Sequence, residues 1–331
     1  MKRREFIGVI GGAVTWPFAA RAQQPPLQVV GFLGSASFES TALVISDFRS
    51  GLAAEGFVEG KNVTIEFRFA DGKYGLLPAL AADLVRRQVR VVATGGGSPA
   101  SSAIHAATKT IPIVSLIGGN AVKMGLAETL SHPGGNVTGV EMLLNDAEIK
   151  RLEIMNEIVP AAELVAYIQN PNTRPADGAA AEQTAALESA ARRLGKKLLV
   201  LNAANDSELD QAFATIDREN PGGLIVGADG FFFMRVNRIV EQAAARRIPA
   251  IYFLREYVRA GGLVSYGTRL GDAMKQVGIY AGKILKGAKA SDLPIVQLSE
   301  KIELLVNLKT ARALGISVPT SLLLRADEVI E

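Results

Sequence analysis

Short apolar runs that end in Gly, Ser, Asn or Asp alternate with stretches of helical period along the chain. This alternation restricts the fold more than any other feature. Val29-Val30-Gly31-Phe32-Leu33-Gly34 has the continuous apolar character of a strand buried on both faces. Val44, Phe48 and Leu52 then recur at spacing four, which predicts an amphipathic helix over 40–55, ended by Gly56. Further strands are predicted at 63–69, 89–94, 111–117 and 137–140, with helices at 76–87, 99–108 and about 124–130. The pattern then restarts. Helices at 148–158, 177–194, 207–218, 234–247 and 272–286 are interleaved with strands at 164–169, 198–201, 223–227, 249–253 and 262–266. Segments 302–307 and 309–314 close the chain. Strand-helix alternation run through twice means an α/β fold of two doubly wound parallel-sheet lobes. No Ser- or Pro-rich linker separates them, so ordinary strand ends must join them, which suits a hinge.

In open α/β sheets, ligands sit at the carboxyl ends of the strands. Ser35 and Ser37 follow the first strand, and Gly95-Gly96-Gly97-Ser98 follows the third and opens a helix at Pro99. Gly96 and Gly97 let the backbone approach a ligand, and a helix N-terminus with a Ser98 hydroxyl suits a small carboxylate. The same residues also make a plain turn with Ser98 as helix cap. Gly118-Gly119-Asn120 reads similarly, which makes Gly119 and Asn120 candidates, and Asn170 ends the strand at 164–169. Asp229 precedes Phe231-Phe232-Phe233; a carboxylate beside aromatics can take an ammonium group and pack an apolar side chain, or simply cap a helix. One helix face cannot bury three consecutive Phe, so at least one is expected to face the cleft, with Phe231 the candidate. Glu256 and Tyr266, near the ends of later strands, complete the candidate ligand-binding set.

The charge is uneven. Lys2, Arg3, Arg4 and Arg21 against Glu5 account for the whole formal net charge of +3, so the remainder is balanced. A balanced body argues against nucleic-acid binding. Residues 1–22 read as a signal peptide: a basic start, a short apolar stretch from Ile7 to Ala20, and an Ala20-Arg21-Ala22 cleavage pattern. The Arg pair followed by Glu-Phe-Ile resembles the twin-arginine export type. The stretch is too short to span about 30 Å of hydrocarbon. With 0 Cys there is no lipid-attachment residue, and the composition suits an oxidising compartment. The expected mature protein is periplasmic and not membrane-spanning. An intact mass corresponding to a chain starting at Gln23 is the expected result for exported protein, and retention of Arg3-Arg4 would overturn that reading.

Catalytic signatures are missing. There are 0 Cys and 2 His, and His105 and His132 have no obvious triad partner. Neither a dinucleotide fingerprint nor a P-loop occurs, and Gly262-Leu263-Val264-Ser265-Tyr266-Gly267 has the wrong spacing for a nucleophile elbow. No catalytic residue, metal site or cofactor is expected.

Several segments together resemble the solute-binding proteins of ABC transporters, in the subfamily that includes tryptophan- and tyrosine-type binders. They include Gly56-Phe57-Val58-Glu59-Gly60-Lys61-Asn62-Val63, Pro133-Gly134-Gly135-Asn136-Val137-Thr138-Gly139-Val140, Gly227-Ala228-Asp229, Ala260-Gly261-Gly262-Leu263-Val264-Ser265-Tyr266-Gly267 and Asn307-Leu308-Lys309-Thr310-Ala311. The resemblance implies a type I periplasmic binding fold with three crossovers. The first lobe would hold 27–141 and about 268–300, the second 148–266 and about 302–331. It also implies a monomer that is not an enzyme, holds a small ligand between its lobes and delivers it to an ABC permease. The ligand would be an amino acid or a small aromatic carboxylate. The loop that often reads Gly-Asp-Pro-Val in this subfamily is Gly119-Asn120-Ala121-Val122 here, and Asn cannot balance an ammonium charge. A ligand sensor for a signalling receptor, or a periplasmic enzyme on the same fold, would fit the same clamp.

Overall fold

The computed structural model describes residues 27–142, 144–173, 179–298 and 302–331. The segment read as a signal peptide lies outside the described residues. The chain builds β1 (Gln28–Gly34), α1 (Ala42–Ala54), β2 (Val63–Phe69), α2 (Leu77–Arg86), β3 (Val91–Gly95), α3 (Ser98–Ala107), β4 (Ile113–Ile117) and β5 (Val137–Glu141). It then crosses to a second sheet with α4 (Leu144–Ile158), β6 (Leu164–Gln169), α5 (Ala179–Arg193), β7 (Lys197–Asn202), α6 (Asp206–Glu219), β8 (Gly223–Val226), α7 (Gly230–Phe233), α8 (Val236–Ala245), β9 (Ala250–Tyr252), α9 (Arg255–Arg259) and β10 (Val264–Thr268). It returns with α10 (Leu270–Leu285) and β11 (Val296–Gln297), and crosses once more to β12 (Ile302–Asn307), α11 (Leu308–Leu314), α12 (Thr320–Leu323) and β13 (Glu328–Ile330).

The first sheet has the order β11-β5-β4-β3-β1-β2 and the second β13-β12-β10-β9-β8-β6-β7. Both are doubly wound, and each sandwiches its strands between two apolar layers. In β3, Val91 and Ala93 pack toward α1 and α10 while Val92 packs toward α2 and α3, the alternation a strand buried on both faces requires. Phe32 and Phe48 are fully buried in the first of these layers with their rings 5.3 Å apart, edge to face. Burial of each such side chain contributes about 1.5–3 kcal/mol. Helices α1 and α10 meet at backbone distance. A Cβ on Gly51 would lie 2.0 Å from the Lys275 carbonyl oxygen, and one on Gly278 would lie 2.1 Å from that of Phe48. The second lobe has its own two layers, one under α6 and α8, the other under α4, α5 and α11.

The second sheet departs from the all-parallel expectation, because β12 runs antiparallel to β10. The topology explains this. The chain leaves the second lobe at the carboxyl end of β10 and re-enters beside it through β12, so the re-entering strand must run the other way. The region expected as a helix at 124–130 contains turns instead. Gly125 sits at φ +67°, and Glu128 N–H bonds the Pro133 carbonyl across the turn rather than continuing a helix. The helix expected over 234–247 is α8, and a separate short helix, α7, precedes it because Asp229 caps the chain there. No helix among the described residues is long and apolar enough to cross a membrane.

Candidate functional site

Each lobe offers its polar groups where its winding reverses. In the first sheet, crossovers diverge between β1 and β3, and the loops there carry Ser35 and Gly95–Ser98. In the second they diverge between β6 and β8, where the loops carry Asn170 and Asp229. Such switch points leave a crevice at the strand ends. The two crevices face each other, and a cleft lies between them, reached by Gly96, Gly97 and Ser98 from the first lobe and by Thr173, Asp229 and Gly230 from the second. Its walls are largely apolar: Phe32, Val44 and Leu116 on one side, Phe233, Phe253 and Leu254 on the other.

Gly96 and Gly97 adopt φ +119° and +74°, a region that side-chain-bearing residues rarely enter. A Cβ on Gly96 would fall 1.9 Å from the Ser35 hydroxyl oxygen. That hydroxyl donates to the Gly96 carbonyl at 2.8 Å, so buried Ser35 fixes the loop and is not itself on the cleft wall. The loop delivers Ser98 as the first residue of α3, whose first-turn N–H groups have no intrahelical partner, with Pro99 second, where a missing N–H costs nothing. Buried Ser98 lines the cleft. Hydroxyl, N–H groups and the positive end of a ten-residue helix together suit an anionic group.

Asp229 is the opposite pole. It is 6% exposed, yet forms no ion pair among the described residues. Oδ1 accepts from Asn170 Nδ2 at 3.0 Å and from Phe231 N–H at 2.8 Å. Oδ2 accepts from the Tyr74 hydroxyl at 2.6 Å and from the Thr173 hydroxyl. Four neutral donors thus hold a buried carboxylate without neutralising it, an arrangement that leaves negative potential at the cleft wall. Burial, and then the charge of Asp229, hold the Tyr74 phenol well above its ordinary pKa, so Tyr74 remains a donor.

The other sequence candidates fall elsewhere. Ser37 bonds Ser40 within its own turn. Asn120 is exposed and caps the turn at Lys123, while the same loop is tied down by Ala121 N–H to Glu141; Gly118 rather than Gly119 lines the cleft. Asn170 acts on Asp229 and is not on the wall of the main cleft. Phe231 is buried in the lobe core under the Arg235 guanidinium, 3.6 Å from its ring centre, and the cleft-facing Phe is Phe233. Glu256 lies in the first turn of α9 with a buried, unpartnered Oε2, and burial raises its pKa. Tyr266 packs in the core layer beside α4. Tyr74 and Thr173 were missed; both follow strands next to a switch point, the signal that could have found them.

Residues 30–330 match the family described as ABC transporter substrate binding protein. A tyrosine-binding protein of Clostridioides difficile is 25% identical over 267 residues, covering 81% of this chain and 75% of the relative. Among solved structures, a conserved domain protein from Vibrio cholerae has a TM-score of 0.81 at 24% identity, covering 91% of this chain and 99% of that one. An ABC domain in complex with L-Trp from Streptococcus pneumoniae has a TM-score of 0.79 at 23% identity, covering 92% and 100%.

Proposed function

The chain belongs to the family of ABC transporter substrate-binding proteins, and from that premise we propose that it captures one α-amino acid with a bulky apolar side chain between its lobes. The observation that carries this reading is the pairing of a buried, cation-free Asp229 with the open N-terminus of α3 across an apolar cleft. The ammonium goes to Asp229, the carboxylate to Ser98 and the first turn of α3, and the side chain packs among Phe32, Leu116, Phe233 and Phe253. The tyrosine-binding relative and the L-Trp complex support the ligand class. Export through residues 1–22 and delivery to an ABC permease complete the proposal. The protein binds and releases its ligand without turnover.

Calorimetry tests it. L-Tyrosine, L-tryptophan and L-leucine are compared with 3-(4-hydroxyphenyl)propionate, which is tyrosine without its ammonium group. One amino acid per chain should bind, and the deaminated analogue should bind far more weakly. Equal affinities would overturn the reading. Ser98→Ala should weaken the amino acid by about 0.5–1.5 kcal/mol, or up to about 3 kcal/mol if the bond is charge-assisted. Unchanged affinity would return Gly95–Ser98 to a simple turn.

A further inference from the structure

One contact between the lobes is a hydrogen bond between groups 155 residues apart. Tyr74 stands in a short 3-10 turn after β2, in the first lobe, and its hydroxyl meets Asp229 Oδ2 in the second at 2.6 Å. It also accepts from Phe231 N–H at 3.3 Å. The surfaces around this bond come close together at two glycines. A Cβ on Gly230 would sit 2.9 Å from the Ser35 hydroxyl oxygen and 3.3 Å from that of Tyr74. One on Gly72 would sit 2.6 Å from Met234 Cε. Another polar bridge between the lobes among the described residues, Lys123 to Glu182 at 3.5 Å, is exposed at both ends and contributes little. Tyr74 is not on the wall of the cleft, whereas Thr173 is, so a ligand reaches Asp229 from the Thr173 side and leaves the phenol in place.

We propose that Tyr74 is an interlobe latch: its phenol binds the Asp229 carboxylate only when the lobes are together, and so holds a closed population before any ligand arrives. The proposal extends the reading of Asp229 as the ammonium partner to regulation of the same site, and its first arm needs no ligand. In the closed ligand-free state four donors meet Asp229, and an arriving ammonium takes the place of the Thr173 hydroxyl on the cleft wall; opening removes the Tyr74 donor from the carboxylate, which is costly. Binding then draws on a state already populated.

The chain has 0 Cys, so spin labels can be placed through Lys61→Cys and Glu241→Cys, one exposed position in each lobe. The distance distribution is measured in the ligand-free protein, in Tyr74→Phe and in Gly230→Ala. Tyr74→Phe keeps the ring and removes the donor. The closed-to-open ratio should fall by roughly 10- to 100-fold, the range for a lost charge-assisted hydrogen bond. Gly230→Ala should open the lobes by wedging, and saturating L-tyrosine should restore closure in Tyr74→Phe with faster release. A wild-type protein with no closed population overturns the latch. So does an unchanged distribution in Tyr74→Phe, whether or not Gly230→Ala opens the lobes. Opening in Tyr74→Phe with no amino-acid binding leaves the latch standing and rejects the ligand reading instead.

Discussion

Asp229→Asn should weaken an amino-acid ligand by about 2–5 kcal/mol, the cost of removing one member of a desolvated charge pair. The substitution isolates charge unusually well here. Oδ1 faces Asn170 Nδ2 and Phe231 N–H, which only donate, so the amide oxygen of the variant takes that place. Oδ2 faces the hydroxyls of Tyr74 and Thr173, which turn and accept from the new NH2. All four contacts and the cap of α7 survive; the negative charge goes, and the two hydroxyl protons lose this acceptor. Calorimetry on L-tyrosine and its deaminated analogue should therefore diverge. The first loses most of its affinity, and the second keeps its own or gains by loss of repulsion. Equal, small losses for both ligands would show that Asp229 serves only to cap α7 and bind Tyr74.

Local physics explains what could be read from the chain and what could not. Strands such as Val29–Gly34 and the helix of Val44, Phe48 and Leu52 announce themselves by continuous apolarity and by period, because burial on both faces or on one decides their composition. Gly95–Ser98 was legible because a helix N-terminus after a strand has a signature, and Asp229 because it ends a strand. Asn120 misled for the same reason: a Gly-Gly-Asn strand end looks like a ligand loop, but its polar atom serves its own turn. Phe231 against Phe233 was a question of helix phase, and the start of α7 was fixed by a cap rather than by apolar spacing. Tyr74 and Thr173 are marked in the sequence only by their place after strands next to a switch point; the contacts that give them a role lie 155 and 56 residues away.

Arg151 shows the same limit, and the effect of losing it should be large. On the sequence it is one more Arg in a charged helix, yet it is 0% exposed. Its Nη1 donates to the Tyr266 carbonyl at 2.9 Å, joining α4, which follows the first crossing between lobes, to β10, which precedes the second. Its Nη2 lies 3.6 Å from Glu148, itself 2% exposed and bonded by Gln183. Nε and Nη2 have no hydrogen-bond partner among the described residues, and burial lowers the guanidinium pKa. Arg151→Met strands the Glu148 carboxylate and should cost about 3–5 kcal/mol in chemical denaturation. Glu148→Gln alone strands the guanidinium in turn. Arg151→Met combined with Glu148→Gln leaves no buried charge, so most of the loss should return, since an apolar or neutral replacement of a buried pair is often close to neutral. The return should stop short of completion by about 1–3 kcal/mol, because the Tyr266 carbonyl still lacks its donor. Additive losses in the double variant would reject the pairing of Arg151 with Glu148. Full recovery would show that the bond to Tyr266 contributes nothing to the joint between α4 and β10.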